Sequence, residues 1–239
     1  MNQKRQTPTL LRALDGLALI SIAGAFLIVL TYAPIELTMG KVQKVFYFHV
    51  AASWTGMLGF LVATVAAIAY LKTGALKWDT ASMAGIEIGV VFIGLGIVSG
   101  MIWARPVWNT WWTWDPRLTT TLIMELIYAA YMLLRSGLDD LQRRARLSAV
   151  YAIVGFISVP LTFLSIRIFR TIHPAVLVRS SNSTVGAFAM TSRMQAAFFS
   201  SLAAFTILFV ALYWHRYRLG LKQNEVQQKR MEIESGGEA

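Results

Sequence analysis

Cysteine is absent from this sequence of 239 residues, and charged residues make up only 14% of it. Without a thiol the chain forms no disulfide, no thiolate metal site and no C-x-x-C-H attachment site, which excludes the c-type cytochromes. There is also no G-x-x-x-x-G-K-[ST] sequence, so we expect any ATP-driven step to reside in a partner. Hydrophobic residues reach 56%, with a mean hydropathy of +0.55, more than one soluble core of this size can bury.

Six apolar stretches are long enough to cross a bilayer. A span needs about 20 apolar residues at about 1.5 Å each, and the candidates are residues 13–32, 45–71, 81–102, 118–134, 147–169 and 194–214. The sequence therefore predicts an all-α integral membrane protein, a bundle of six transmembrane helices. We divide it into a membrane domain, 1–218, and a polar cytoplasmic tail, 219–239, which we expect to fray.

The basic residues indicate the orientation of the bundle. With both termini in the cytoplasm, fourteen of the 22 Lys and Arg residues lie on inner segments and eight on outer ones, as the positive-inside rule favours. Basic side chains at the ends of spans also account for the net charge of +10, so we expect membrane lipid and no nucleic acid as a partner. The eight outer charges indicate an anionic ligand outside.

A tryptophan-rich outer loop follows the third span. An interfacial aromatic belt explains one or two Trp per helix end, but here five of the eight Trp fall between Trp103 and Trp114, interleaved with Arg105, Asp115 and Arg117. Indole faces stack on π-systems and arginine pairs with carboxylates, so this loop suits a planar, apolar ligand with carboxylates, such as haem. Asp115 either pairs with Arg117 or accepts backbone N–H bonds, and Pro116 suits the first position of a helix.

Two histidines are predicted on the same side as this loop. His49 lies about one turn inside the outer end of the second span, and His173 lies just past the outer end of the fifth. Neutral imidazoles can fill both axial positions of a haem iron, although a lone interfacial histidine is more often a packing residue. His215 belongs to the inner end of the sixth span, so we expect it to be interfacial.

Other features of the spans indicate packing. Gly85-x-x-x-Gly89 and Gly96-x-x-x-Gly100 allow close helix approach, and Pro160 predicts a kink in the fifth span. Glu87 and Glu125 lie in apolar surroundings, where an ionisable group is a functional hypothesis by default; we favour structural or partner contacts over a proton route.

The segment Trp108-Asn-Thr-Trp111-Trp112-Thr-Trp114-Asp115-Pro116-Arg117 resembles the WWD family of haem-handling membrane proteins. The length, six spans and flanking histidines are similar to its cytochrome c maturation protein C branch, also called haem exporter protein C, over nearly the whole chain. Asn109 and Pro116 depart from the usual glycine and small residue; asparagine tolerates positive φ better than most residues.

The resemblance implies a non-enzymatic protein of the bacterial inner membrane with a haem b site facing the periplasm. Its axial ligands would be His49 and His173, and its cradle would consist of Trp108, Trp111, Trp112, Trp114, Asp115 and Arg117. The implied partners are an ABC-type ATPase with its membrane subunits, a small single-span protein and a periplasmic haem chaperone. The alternatives are a b-type electron-transfer subunit and a small-molecule transporter.

Overall fold

The computed structural model describes residues 7–37, 39–173 and 190–236, which form seven α-helices, a short π-helix (Ile28–Tyr32) that continues the first of them, and no β-strand. Because α5 and α6 together make one span, six segments are long and apolar enough to cross a membrane. The predicted six-span, all-α fold is confirmed. The helices are α1 (Thr9–Leu27), α2 (Gln43–Thr73), α3 (Leu76–Trp108), α4 (Pro116–Ser136), α5 (Leu141–Gly155), α6 (Ser158–Ile168) and α7 (Ser192–Gly236).

The centre of the bundle is the pair α2 and α3, whose backbones touch at glycines. A Cβ atom added to Gly59 would lie 2.6 Å from the carbonyl oxygen of Gly85, and one added to Gly85 would lie 2.7 Å from that of Gly59. Lipid supplies no hydrophobic force between helices, so their association depends on close packing. The glycines permit that packing because they have no side chain to separate the two backbones. Phe60 of α2 then stacks on Tyr128 of α4 with ring centroids 3.6 Å apart, which brings α4 against the pair.

The fifth span is interrupted at Phe156 and Ile157, between α5 and α6. Pro160 lies in the first turn of α6 and has no N–H for the carbonyl of Phe156 four residues earlier. The interruption therefore lies where a kink was predicted.

The helices meet through different contacts at the two ends of the bundle. At one end, here named the site end, the C-termini of α3 and α6 lie with the N-termini of α2, α4 and α7. At the opposite end, Arg135 binds Asp79 through two hydrogen bonds of 2.7 and 2.5 Å, and both side chains are buried. This bidentate ion pair ties the start of α3 to the end of α4.

The last helix extends well beyond its membrane span. At about 1.5 Å per residue, the 45 residues of α7 measure about 68 Å, against about 30 Å of hydrocarbon. The expectation that the tail frays is wrong as far as residue 236; residues 237–239 lie outside the described residues. Glu, Gln and Lys favour helix, Lys229 bonds Glu225 one turn away at 3.2 Å, and Asn224 donates to Thr80 of α3 at 2.8 Å.

Candidate functional site

A cavity of about 410 Å³ lies at the site end of the bundle, with walls from α2, α3, α4 and α6. Its volume falls within the range of about 300–1,000 Å³ typical of small-molecule sites. Most of the wall is apolar or aromatic. Its polar and charged lining includes His49, Arg117, Arg167 and His173.

The tryptophans of the loop divide into two groups. Trp108 and Trp112 line the cavity, and so does Trp103, whose ring meets that of Trp108 edge-on at 5.1 Å. Trp111 and Trp114 lie outside the cavity wall and are 53% and 74% exposed. The structure thus brings two of the four predicted cradle tryptophans to the cavity, together with Trp103, which was not predicted to belong to the cradle.

The imidazole of His49 is held against α3 by polar contacts of its Nδ1 atom. Its Nδ1 lies 2.9 Å from the carbonyl oxygen of Gly96 and 3.3 Å from Oγ of Ser99. A carbonyl only accepts, so Nδ1 carries the proton, and Nε2 is the nitrogen left to bind a metal. Gly100 makes room for the ring, because a Cβ there would lie 3.0 Å from Cε1 of His49.

His173 faces His49 although 124 positions separate them in the chain. Their ring centroids are 6.5 Å apart and their planes are inclined by 43°. An imidazole nitrogen binds a metal at about 2.0–2.1 Å and lies about 1.1 Å from its ring centroid, so two rings across one metal have centroids about 6.3 Å apart. The described residues hold no group of three or more metal-binding side chains, but a haem iron needs only two because the porphyrin supplies four nitrogens.

Asp115 joins the tryptophan loop to the segment that carries His173. One carboxylate oxygen accepts from the backbone N–H of Arg117 at 2.9 Å and from Oγ1 of Thr171 at 2.7 Å. The other accepts from the backbone N–H of Ile172 at 2.9 Å, and Oγ1 of Thr171 in turn accepts from the N–H of His173 at 3.0 Å. Of the two roles predicted for Asp115, the structure therefore shows the backbone contacts: Asp115 is the N-cap of α4 and also a clamp on the His173 segment.

Arg117 is a cation inside the cavity wall without a carboxylate partner. Its Nη1 donates to the carbonyl of Thr162 at 2.5 Å, and its guanidinium lies 5.1 Å from the ring centroid of Phe163. Among the described residues no carboxylate lies within ion-pairing distance of it, Asp115 included. Asp115 attracts this guanidinium only from beyond ion-pairing distance, and a buried charge without a direct ion partner is costly. The arrangement therefore favours an anionic ligand.

The loop before α4 begins with a left-handed residue. Asn109 has φ 55° and ends α3, and Arg105 donates to its carbonyl at 2.6 Å and to its side-chain oxygen at 2.9 Å. Asparagine therefore takes the conformation that glycine would take here. The role of Arg105 is to hold this turn.

The cavity residues that were not selected from the sequence include Gly100, Trp103 and Arg167. Gly96-x-x-x-Gly100 was predicted to be a helix-packing motif. The spacing of the glycines alone does not determine whether a neighbouring helix or a single side chain fills the space beside them. That space holds Ser53 at Gly96 and His49 at Gly100.

The remaining ionisable residues singled out from the sequence lie away from the cavity. Glu87 pairs with Arg216 of α7, with one contact of 2.8 Å, and His215 binds Asp15 of α1 at 2.8 Å near the opposite end. The structural contact expected for Glu87 is confirmed. Glu125 has one buried carboxylate oxygen without a hydrogen-bond partner among the described residues.

Comparison with known proteins agrees with the resemblance. The family model for Heme exporter protein C matches residues 2–232. Heme exporter protein C of Bradyrhizobium diazoefficiens is 32% identical over 237 residues, covering 94% of this chain and 84% of that protein. The protein of that name from Escherichia coli K12 is 30% identical over 142 residues, 59% and 58% of the two chains. A Marchantia polymorpha mitochondrial protein named for cytochrome c biosynthesis is 27% identical over 59% of each chain. The chain therefore belongs to the heme exporter protein C family.

Proposed function

We propose that this protein binds haem b non-covalently at the periplasmic face of the bacterial inner membrane. It presents that haem to a periplasmic haem chaperone during c-type cytochrome biogenesis. The observation that carries the proposal is the 6.5 Å separation of the His49 and His173 rings inside an aromatic cavity. Family membership supports the same ligand, since the matching family is named for haem export.

Each wall of the cavity has a role in this proposal. Nε2 of His49 and the imidazole of His173 bind the iron, and Trp108 and Trp112 contact the porphyrin. Arg117 pairs with a carboxylate of the haem. The chain itself forms no covalent bond to the porphyrin; it holds the haem so that the chaperone can reach the reactive edge, which is catalysis by positioning.

The proposed partners are those that the resemblance implies. An ABC-type ATPase with its membrane subunits supplies the energy, and a small single-span protein completes the assembly. The C-terminal part of α7, which stands beyond its membrane span, lies at the end opposite the haem site. With the orientation predicted from the basic residues, that part faces the cytoplasm, where an ATPase acts.

The absorption spectrum of the purified protein tests the proposed ligands. Wild type should carry a six-coordinate, low-spin haem that acid-acetone extracts. His49→Ala and His173→Ala should each lose one axial ligand and shift the spectrum, because each removes one imidazole. His215→Ala is the matched control, since His215 binds Asp15 away from the cavity and should leave the spectrum unchanged. Unchanged spectra in both cavity variants would contradict the proposal.

The orientation has a direct test because the natural chain has no cysteine. Leu37→Cys lies at the site end, where Leu37 is fully exposed, and Ser136→Cys lies at the opposite end. A membrane-impermeant maleimide added to intact spheroplasts should label the first and spare the second. The reverse pattern would place the cavity in the cytoplasm and end the proposal of periplasmic presentation.

The same spectra separate this function from its rivals. A b-type electron-transfer subunit should show haem that quinol reduces and reoxidises at catalytic rates, whereas a presenting protein should pass its haem to the chaperone. A transporter that uses Glu87 on its path is disfavoured, because Glu87 is engaged by Arg216. Transport of a small molecule by the haem-free protein would favour the transporter.

A further inference from the structure

The cavity wall carries two cations and no acid among the described residues. Arg117 and Arg167 both line it, and no Asp or Glu does. Where water is partly excluded, two such charges act over the whole cavity, because the effective dielectric constant there is lower than in bulk water. The wall is therefore complementary to a ligand with two negative groups.

The two arginines differ in how firmly they are held. Arg117 is anchored by the carbonyl of Thr162 and the ring of Phe163. Arg167 lies in the last turn of α6, and its side chain is exposed. No hydrogen bond or ion pair joins Arg167 to another of the described residues. One arginine is fixed inside the wall, and the other can swing at the mouth of the cavity.

We propose that Arg167 is a second carboxylate-binding residue of this site, so that Arg117 and Arg167 each hold one carboxylate of a dicarboxylate porphyrin. This inference rests on the proposed function, since it names the contact for the second carboxylate of the haem. Because Arg167 is exposed, its contact is screened by salt, while that of Arg117 is shielded. Arg167 is thus the contact that is broken first when the ligand leaves.

A purely structural role for Arg167 makes a different prediction. A cation in the last turn of a helix also interacts with the helix dipole, whatever the ligand. That role would affect every porphyrin equally. Haem dimethyl ester separates the two roles, because it keeps the iron and the ring but has no ionised carboxylate.

The experiment compares Arg167→Gln with Arg170→Gln in the purified full-length protein in detergent. Arg170 is also exposed and basic, three residues further on, but it does not line the cavity. Haem and haem dimethyl ester are titrated by Soret absorbance at low ionic strength and in about 1 M salt, where the Debye length is about 3 Å.

We expect Arg167→Gln to weaken haem binding by about three- to fivefold at low ionic strength, as suits an exposed ion pair. The effect should vanish in high salt and with the dimethyl ester, and Arg170→Gln should match wild type throughout. Equal affinities of the two variants for haem, or an equal loss with the ester, would overturn the role of Arg167. If wild type binds neither porphyrin, the proposed function itself fails.

Discussion

The clamp formed by Asp115 leads to a prediction that joins the tryptophan loop to the iron ligand. Asp115→Asn keeps the shape of the side chain but replaces one acceptor oxygen with an NH₂ group. If the amide oxygen takes the place of the carboxylate oxygen that accepts from Arg117 and Thr171, the NH₂ group faces the backbone N–H of Ile172. In the wild type that N–H lies 2.9 Å from the other carboxylate oxygen. Two donors then oppose each other, and the His173 segment loses its charged anchor.

The magnitude follows from the hydrogen bonds that are lost. A hydrogen bond to a charged group contributes about 1.5–3 kcal/mol, which corresponds to about a ten- to hundredfold change in the equilibrium between docked and undocked segment. The apparent affinity for haem is the intrinsic affinity multiplied by the docked fraction. Haem binding should therefore weaken by up to that factor, while the chain remains folded.

The assay is a haem titration followed by Soret absorbance, with the coordination state read from the same spectra. Asp115→Asn should show a five-coordinate fraction, because His49 remains while His173 is displaced, and free imidazole should restore the six-coordinate spectrum. Thr171→Ser keeps the bridging hydroxyl and is the matched control; Thr171→Val should act in the same direction as Asp115→Asn but less strongly. Wild-type affinity and a wild-type low-spin spectrum in Asp115→Asn would refute the clamp.

Two further predictions concern α3. Gly100→Ala should displace the His49 ring, since the added Cβ would lie 3.0 Å from its Cε1, and the low-spin spectrum should be partly lost. Gly24→Ala on α1 is the control, because a Cβ there meets nothing within 4 Å and should leave the spectrum unchanged. Equal spectra of the two variants would contradict the role of Gly100 in making room for His49. Arg135→Leu should lower the free energy of unfolding by about 3–5 kcal/mol because it leaves the buried Asp79 unpaired. The double variant Asp79→Leu/Arg135→Leu should recover much of that loss in thermal unfolding; a double variant no more stable than the single one would contradict the ion-pair explanation.

Much of the fold was predictable because membrane spans are local features. The length and polarity of each apolar stretch decide whether it can cross the bilayer, and Pro160 marked the interruption of the fifth span. The predicted second and third spans were shorter than α2 and α3, since polar residues such as Gln43 and Asp79 continue these helices beyond the apolar stretch. Fraying of the tail was wrongly expected, because polar composition lowers burial but does not lower helix propensity.

The end of the bundle at which the candidate site lies was predictable, whereas the side chains that line the cavity were predictable only in part. The spacing of His49, His173 and the tryptophan loop predicted that they meet at one end of the bundle, and the structure brings them together. It did not predict that Trp111 and Trp114 lie outside the cavity wall, since consecutive loop residues have no regular periodicity that would tell which side chains face the cavity.

The sequence by itself determined that lipid surrounds this protein, how many spans it has, and which residue types suit a planar iron-containing ligand. These depend on side-chain chemistry and on hydrophobic length, which are properties of continuous stretches. Only the tertiary structure decided that Asp115 holds the His173 segment, that Gly100 leaves space for His49, and that Arg167 joins Arg117 at the cavity. These contacts join helices far apart in the chain, and the rotation of each helix about its axis is set by its packing partners, which no single stretch specifies.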